Sequence, residues 1–435
     1  MKVAFQTLGC KVNLYETEAV WSLLSELGYT KVNYNEFSDV YILNTCTVTN
    51  KGDSKSRKSI RQAVKKNPDA IVVVMGCYAQ ISPEEVLAID GVDIVIGTNN
   101  RSELPQLIEK FRKERTRISK VSDIMGVNNF ENLNLSTFTE NTRAFLKIQD
   151  GCNNFCSYCI IPFARGPVRS RLPKDVLSES KRLVANGFKE IVLTGIHTGG
   201  YGTDLDCYNF CDLLKELEQI EGLKRLRISS IEINELTDSV IDVIANSKVI
   251  VNHLHIPLQS GCSSTLDRMN RKYDTIEFKK RIDYIKERIE DVSITTDVIV
   301  GFPGESEEEF ASTVDFINDI AFFEMHVFPY SVRSGTKAAL MKDQINPQVK
   351  QKRVKVLSKL SDTLSKKRIE SHIGKEVEVL IERSKNGSSS GHTTNFMNIT
   401  VNKQLNSNKI VTVLITDYTN GIINANIVNK YNDIH

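Results

Sequence analysis

The sequence predicts an α/β chain of three parts: an N-terminal domain on a parallel sheet, a central partial (β/α)6 barrel, and a small all-β barrel at the C-terminus. Three observations carry that prediction. Residues 2–115 alternate short apolar runs with helical patterns, and strands separated by helices rather than tight turns belong to parallel sheets. The alternation resumes at Ala144 with six further apolar runs. From Gly374 helical periodicity gives way to short alternating strands joined by Gly, Ser and Asn. At 435 residues the chain also exceeds what one core organises.

In chain order, VAFQT (3–7) precedes a helical pattern over about 14–27, and VYILN (40–44) precedes one near 53–66. AIVVVM (70–75) leads to a short helix after Pro83, and DIVIG (93–97) to a helix from about Ser102. Residues 116–137, running into the Asn-rich NNFENLNLSTFTENT, show little periodicity and read as a linker between a domain over 1–115 and one over 138–370. The barrel strands are FLKIQ, EIVLTG (190–195), LKRLRISS (223–230), VNHLHIPL (251–258), SITTDVIVG (293–301) and FFEMHVFPY (322–330), closed by a helix over 345–371. KEVEVLIE, NFMNITV, KIVTVLITD and GIINANIV make up the last domain, 371–435, a module type that often binds RNA or peptide.

Composition narrows the function classes. Forty per cent apolar and 25% charged residues is ordinary globular usage. No apolar run approaches the ~20 residues that cross a bilayer, so no membrane partner is expected. The only apolar run before Gln6 is VAF, which argues against a signal peptide or a lipid anchor on Cys10 and points to the cytoplasm. The net charge of +2 is low for a nucleic-acid binder, yet the basic residues cluster. KFRKERTRISK (110–120) holds six Lys or Arg against one Glu, and 55–66 and 165–174 contain no acid. Such runs engage phosphates locally or form solvated helix faces.

The strongest local signal is Cys152-Asn-Asn-Phe-Cys156-Ser-Tyr-Cys159, just after a predicted strand. Three thiolates within eight residues can wrap one face of an iron–sulfur cubane, leaving one iron open. Structural zinc is the alternative, but it wants a fourth ligand, and no Cys or His follows before His197. Loops at strand carboxyl ends point into a barrel's mouth, and glycines recur there at Gly195, Gly301 and Gly304, as tight turns or as points of close ligand approach. Three lone cysteines show a second pattern. Cys10 follows VAFQT, Cys46 follows VYILN and Cys77 follows AIVVVM, 36 and 31 residues apart, about one βα unit each. A parallel sheet sets all three beyond the carboxyl ends of neighbouring strands, where open α/β sheets bind ligands. His253 and His255 share a strand face, as a metal pair or, more simply, as polar lining; Cys207, Cys211 and Cys262 have no assigned chemistry.

CNNFCSYC resembles the C-x3-C-x-aromatic-C loop of radical S-adenosylmethionine enzymes. The whole chain resembles the methylthiotransferases of that superfamily through TLGCKVNLYETE, NTCTVTNKGDSKSR, HIPLQSGCSSTLDRMNR, TDVIVGFPGE and VFPYSVRSGT. The resemblance implies a Rossmann-like N-terminal domain, a radical-SAM barrel and a C-terminal TRAM module. It implies two 4Fe-4S clusters, one on Cys10, Cys46 and Cys77 for sulfur transfer and one on Cys152, Cys156 and Cys159 for radical initiation. Tyr158 would lie near the adenine of S-adenosylmethionine and the Gly195 loop near its methionyl end. TLGCKVN and TVTNKGDSKSR resemble the branch that methylthiolates C2 of N6-threonylcarbamoyladenosine at tRNA position 37, in its open or cyclic form. Isopentenyladenosine, a ribosomal-protein aspartate, or a non-catalytic zinc and RNA-binding role are the alternatives. The resemblance further implies a tRNA anticodon stem-loop and a flavodoxin- or ferredoxin-like electron donor; phosphates would meet Arg165, Arg169, Arg171 and the Lys/Arg of 110–120, and GHTTNF (391–396) offers His392 and Phe396 for stacking and polar contact, with core packing the alternative for Phe396. It names no sulfur donor.

Overall fold

The computed structural model describes residues 1–133 and 142–428. Its N-terminal domain is a six-stranded parallel sheet, ordered β2-β1-β3-β4-β5-β6. The strands are β1 (Lys2–Thr7), β2 (Thr30–Val32), β3 (Val40–Thr45), β4 (Ile71–Gly76), β5 (Ile94–Ile96) and β6 (Ile118–Lys120). β3 and β4 are buried along their whole length, because helices cover both faces. Val3, Ile42 and Val73 face the side of helix α1 (Lys11–Glu26), while Ala4, Leu43 and Val74 face that of α2 (Asn50–Lys66). β6 lies inside the stretch expected as a linker, and its pairing with β5 carries the sheet past residue 115. The boundary expected at 137/138 lies outside the described residues.

The central domain contains the six expected parallel strands: β7 (Ala144–Lys147), β10 (Glu190–Thr194), β11 (Arg225–Ile228), β12 (His253–His255), β13 (Ser293–Val300) and β14 (Glu324–Pro329). A short antiparallel pair, β8 (Gln149–Asp150) and β9 (Arg169–Ser170), sits at its mouth. β7, β10 and β11 form one sheet and β12, β13 and β14 another. Bridges Leu226↔Ile250 and Ser230↔His255 join the two. Among the described residues β7 and β14 do not pair, so the barrel is open on one side.

The N-terminal domain spans that opening. Tyr15 and Ala19 of α1 leave their own sheet and join the apolar core of the barrel. Across the gap, Arg333, just past β14, donates to Thr47 Oγ1 (2.6 Å), Asn50 Oδ1 (2.7 Å) and Asp53 Oδ2 (2.7 Å). The C-terminal domain is a closed five-stranded barrel of β15 (Glu376–Lys385), β16 (Ser388–Thr393), β17 (Asn398–Val401), β18 (Ile410–Thr419) and β19 (Ile422–Ile427). It docks on the amino ends of the central strands. Arg225 donates to the carbonyls of His392 (2.9 Å) and Glu378 (3.0 Å), and Asn395 Nδ2 to Asp291 (2.8 Å). No helix among the described residues is long and apolar enough to cross a membrane.

Candidate cluster sites and the bore between them

Cys10, Cys46 and Cys77 come from the carboxyl ends of β1, β3 and β4, three adjacent strands. Glycine brings the loops together. A Cβ on Gly9 (φ +106°) would lie 2.8 Å from Cys46 Cβ and 3.1 Å from its Sγ. Asn13 Nδ2 staples the loops by donating to the carbonyls of Leu8 (2.7 Å) and Thr45 (3.0 Å). Burial pushes the Cys77 thiol up to about 12 and raises Cys46, with Cys10 close enough to add to both. Arg165 opposes this, donating from Nε to Cys77 Sγ at 3.2 Å.

Cys152, Cys156 and Cys159 occupy one loop after β8. Its entry depends on Gly151 (φ +78°), where a Cβ would lie 1.8 Å from the Pro167 carbonyl oxygen. Cys152 N–H bonds Gly166 O (3.0 Å), and Cys159 N–H bonds Cys156 O (2.9 Å), which curls the loop. Burial pushes Cys152 and Cys159 up to about 12. Arg271 donates to Cys156 Sγ (3.3 Å) and pairs with Glu232. Beside it a cavity of about 140 Å³ is lined by Asn154, Cys156, His197, Glu232, Glu235 and Arg271. Tyr158 is half-buried, edge-on to Phe302 (centroids 6.5 Å apart), with its hydroxyl 3.5 Å from Arg271. Gly195 makes room for Gln149: a Cβ there would lie 2.9 Å from Gln149 Oε1, which accepts from His197 N–H at 2.8 Å.

Each set therefore offers three soft donors with no disulfide among them. A metal–thiolate centre with one open position suits that donor set, since buried thiols raised by desolvation become thiolates when a cationic cluster takes their protons' place.

Three expected phosphate contacts are corrected. Arg165, Arg169 and Arg171 are buried. Arg165 pairs with Glu16 (2.5 Å) and donates to Asn13 Oδ1 (2.7 Å), Arg169 lies 3.7 Å from Asp150, and Arg171 pairs with Glu179 (2.8 Å). Arg165 crosses to α1 of the N-terminal domain, as does Arg171 through the Tyr15 hydroxyl (3.3 Å), while Arg169 is spent on β8 within the barrel's own mouth. Phe396 is likewise spent internally. It stacks on His253 (4.3 Å between centroids) and His392 (4.8 Å), with the Arg227 guanidinium 5.1 Å from the ring centroid. It plugs the amino end of the barrel rather than offering a free face for a base.

The barrel interior is polar. Period-two alternation turns Leu226, Ile228 and Leu254 out to the core and leaves Arg225, Arg227, His253 and His255 inside. His253 Nε2 and His255 Nδ1 share Thr295 Oγ1 at 3.0 Å each. Asp297 sits between His255 (3.3 Å) and His326 (3.2 Å). Although burial alone would raise its carboxyl, those two histidines hold it down at about 2. His253 and His255 thus belong to the lining, and Asp297, His326 and Arg143 join a site that sequence reasoning had not assembled; the alternation in RLRI and HLH was the available signal.

A partial parallel barrel with a three-cysteine loop at its mouth defines the radical S-adenosylmethionine class, and residues 146–317 match the radical SAM superfamily model. Residues 2–97 match the uncharacterised protein family UPF0004. The chain belongs to the radical S-adenosylmethionine methylthiotransferase family, an enzyme family. It is 52% identical over 403 residues to the threonylcarbamoyladenosine tRNA methylthiotransferase MtaB of Bacillus subtilis, covering 91% of this chain and 89% of that one. The Aquifex aeolicus protein of the same name is 41% identical, covering 88% and 93%. A tRNA-2-methylthio-N(6)-dimethylallyladenosine synthase of Pelotomaculum thermopropionicum is 36% identical, covering 87% and 86%. Among solved structures, the radical S-adenosylmethionine methyltransferase TsrM of Kitasatospora setae shares the fold at TM-score 0.60 and 14% identity, covering 78% and 77%.

Proposed function

We propose that this chain installs a methylthio group on C2 of N6-threonylcarbamoyladenosine at position 37 of tRNA, using S-adenosylmethionine and two 4Fe-4S clusters. The observation that carries this reading is the pair of three-cysteine sites, on two domains whose seam is closed on both sides of one polar bore. The C2–H bond is unactivated and offers acid–base chemistry no foothold. When bound, the barrel centre with S-adenosylmethionine supplies a radical able to take that hydrogen, and the N-terminal centre supplies the sulfur.

The protein's own residues do the holding. Cys152, Cys156 and Cys159 would bind the first centre, and Cys10, Cys46 and Cys77 the second. Arg271 and Glu232, side by side in the cavity next to Cys156, match the carboxylate and ammonium of a methionyl group in charge. Tyr158 would bound the nucleoside end and Gly195 its backbone approach. RNA phosphates would meet exposed cations: Lys51, Lys55, Lys58, Arg61 and Lys65 on α2, and Arg112, Lys113, Arg115 and Arg117 further on. A low-potential electron donor, flavodoxin- or ferredoxin-like, would supply the reducing electron.

Nucleoside analysis of tRNA from cells lacking the protein tests the reading. Loss of the 2-methylthio derivative of threonylcarbamoyladenosine, with the isopentenyl derivative retained, is expected. Unchanged tRNA refutes it, and loss of the isopentenyl derivative alone reassigns the substrate.

A further inference from the structure

Asp297 differs from the other carboxylates of the interior. Glu16, Asp150, Glu179, Glu190 and Glu305 each close on an arginine or lysine at 2.5–2.8 Å. In the bore, Glu190 and Glu382 take up Arg143, Arg225 and Arg227. Among the described residues Asp297 has only imidazoles as ion-pair partners. Its Oδ2 lies 3.3 Å from His255 Nε2 and its Oδ1 3.2 Å from His326 Nδ1. Both distances exceed the about 2.7–2.9 Å of a charge-assisted hydrogen bond. A half-buried carboxylate is thus left with partners that carry charge only when protonated.

Three neighbouring strands aim these groups at one point. Period two turns Thr295 and Asp297 of β13 into the bore while Ile294 and Val298 join the core outside, and it turns His326 of β14 inward between Met325 and Val327. His255 of β12 pairs in register with Thr295, and His326 with Asp297. The ligand atoms of His255, Asp297 and His326 all lie within 4.8 Å of one another. A cation about 2.1 Å from each would set them about 3–4 Å apart, so closing the site needs shifts of about 1 Å or less. His255 is also oriented from behind. Its Nδ1 lies 3.0 Å from Thr295 Oγ1 while Nε2 faces Asp297, and metal-bound histidines usually have such a second contact. His326 is exposed, on the strand that borders the open side of the barrel, which gives an ion a way in.

We propose that His255, Asp297 and His326 hold one divalent transition cation, a centre separate from the two cysteine sites. Two imidazoles and one carboxylate suit zinc or ferrous iron rather than calcium or magnesium, which prefer all-oxygen sites. The ion takes the place of protons on the imidazoles and gives Asp297 the fixed positive charge that its neighbours lack. His253 is not a ligand: its Nε2 is spent on Thr295 (3.0 Å) and its ring is covered by Phe396. The strand-face pair of His253 and His255 thus gives way to a pair contributed by β12 and β14. Three ligands leave open positions on the bore side, where the ion would offer a Lewis acid to an oxygen donor. The assignment holds whatever nucleoside the enzyme modifies.

The test uses the reconstituted full-length protein, dialysed anaerobically against zinc at buffered free concentrations, with zinc and iron counted by elemental mass spectrometry. Zinc is the probe because it is told apart from cluster iron and outcompetes ferrous iron for such ligands. The wild type should bind about one zinc per chain at free zinc of about 1 µM, with nitrogen and oxygen but no sulfur at the zinc absorption edge. Asp297→Asn and His326→Ala should each weaken binding by roughly 100-fold or more at unchanged iron, and Thr295→Val, which keeps all three ligands, by roughly 10-fold. Cys207→Ser and Cys262→Ser should change nothing. A wild type without zinc at about 100 µM overturns the assignment, as does zinc that shows sulfur ligands or survives both ligand substitutions. If the variants fail to hold their clusters, the wild-type absorption edge decides alone: imidazole scattering supports the site, and sulfur overturns it.

Discussion

Arg165, the last residue of the short helix Ile161–Arg165 that follows one cysteine set, reaches a ligand of the other, and replacing it should change the reduction potential of the N-terminal centre. Its Nε lies 3.2 Å from Cys77 Sγ, and both groups are buried. At an effective dielectric constant of about 20, a unit charge at 3–5 Å interacts with an added electron by roughly 3–5 kcal/mol. Delocalisation over the centre and the opposing charge of Glu16, 2.5 Å from the same guanidinium, reduce this to about 1.5–3 kcal/mol. For a one-electron couple that is about 65–130 mV. Arg165→Gln should therefore lower the midpoint potential by that amount. Glu16 keeps Arg101 (2.7 Å) and Lys147 (2.7 Å), so the variant leaves no buried carboxylate unpaired and should fold. The assay is a potentiometric titration followed by electron paramagnetic resonance. It uses a background with Cys152, Cys156 and Cys159 replaced by alanine, so that one centre remains. A shift below about 20 mV at full iron occupancy would refute the argument, because a charge this close has no other route to being silent.

Other consequences follow from the same geometry. Alanine at Cys152, Cys156 and Cys159 together should halve the iron from about eight to about four per chain, and alanine at Cys10, Cys46 and Cys77 should do the same; loss of all iron in either would contradict two independent sites. Phe396→Ala should cost about 2 kcal/mol in urea unfolding by removing the ring between His253 and His392. Phe396→Gly should cost less than Ala, since φ is +72° there; the reverse order would exclude backbone strain. Glu16 gives a pH dependence. Burial alone would raise its carboxyl, but Arg101, Arg165 and Lys147 hold it at about 2 against an ordinary 4.5. A depressed carboxyl contributes stability above its unfolded value and loses it as pH falls, so the domain seam should open between about 4.5 and 2, tracked by limited acid proteolysis. Glu16→Gln should flatten that dependence.

The two cysteine sets were legible because their signal is local or periodic. CNNFCSYC lies in one loop, and Cys10, Cys46 and Cys77 repeat at the βα period that sets adjacent strand ends side by side. Arg165, Arg169 and Arg171 were misread because a buried arginine and an exposed one look alike in a run free of acids. What buries Arg165 is Glu16, 149 positions away. Base stacking and core packing of Phe396 could not be told apart for a related reason: its partners His253 and Arg227 lie on another domain, and its positive φ leaves no trace in the residue type. The polar bore was half legible. RLRI and HLH alternate visibly, but Arg143 enters from outside the strands, and only the docked C-terminal barrel brings Glu382 to it.

The composition of the seam bears on why the enzyme is built this way. Arg101, Arg165, Arg171 and Arg227 are among the largest fully buried side chains, and two of them, Arg165 and Arg171, reach from the barrel to α1 of the N-terminal domain. Burying paired charge is a poor way to gain stability, since apolar replacements of similar volume often do as well or better. Apolar surfaces, however, tolerate sliding, because their attraction depends little on direction. A guanidinium shared among Glu16, Asn13 and Cys77 has one arrangement that satisfies its donors. A reaction that passes a group between two sites on separate domains depends on their registry to a fraction of an ångström. Directional charge at the seam supplies that registry, with Arg165 on one side of the barrel opening and Arg333 on the other holding the N-terminal cysteines over the bore.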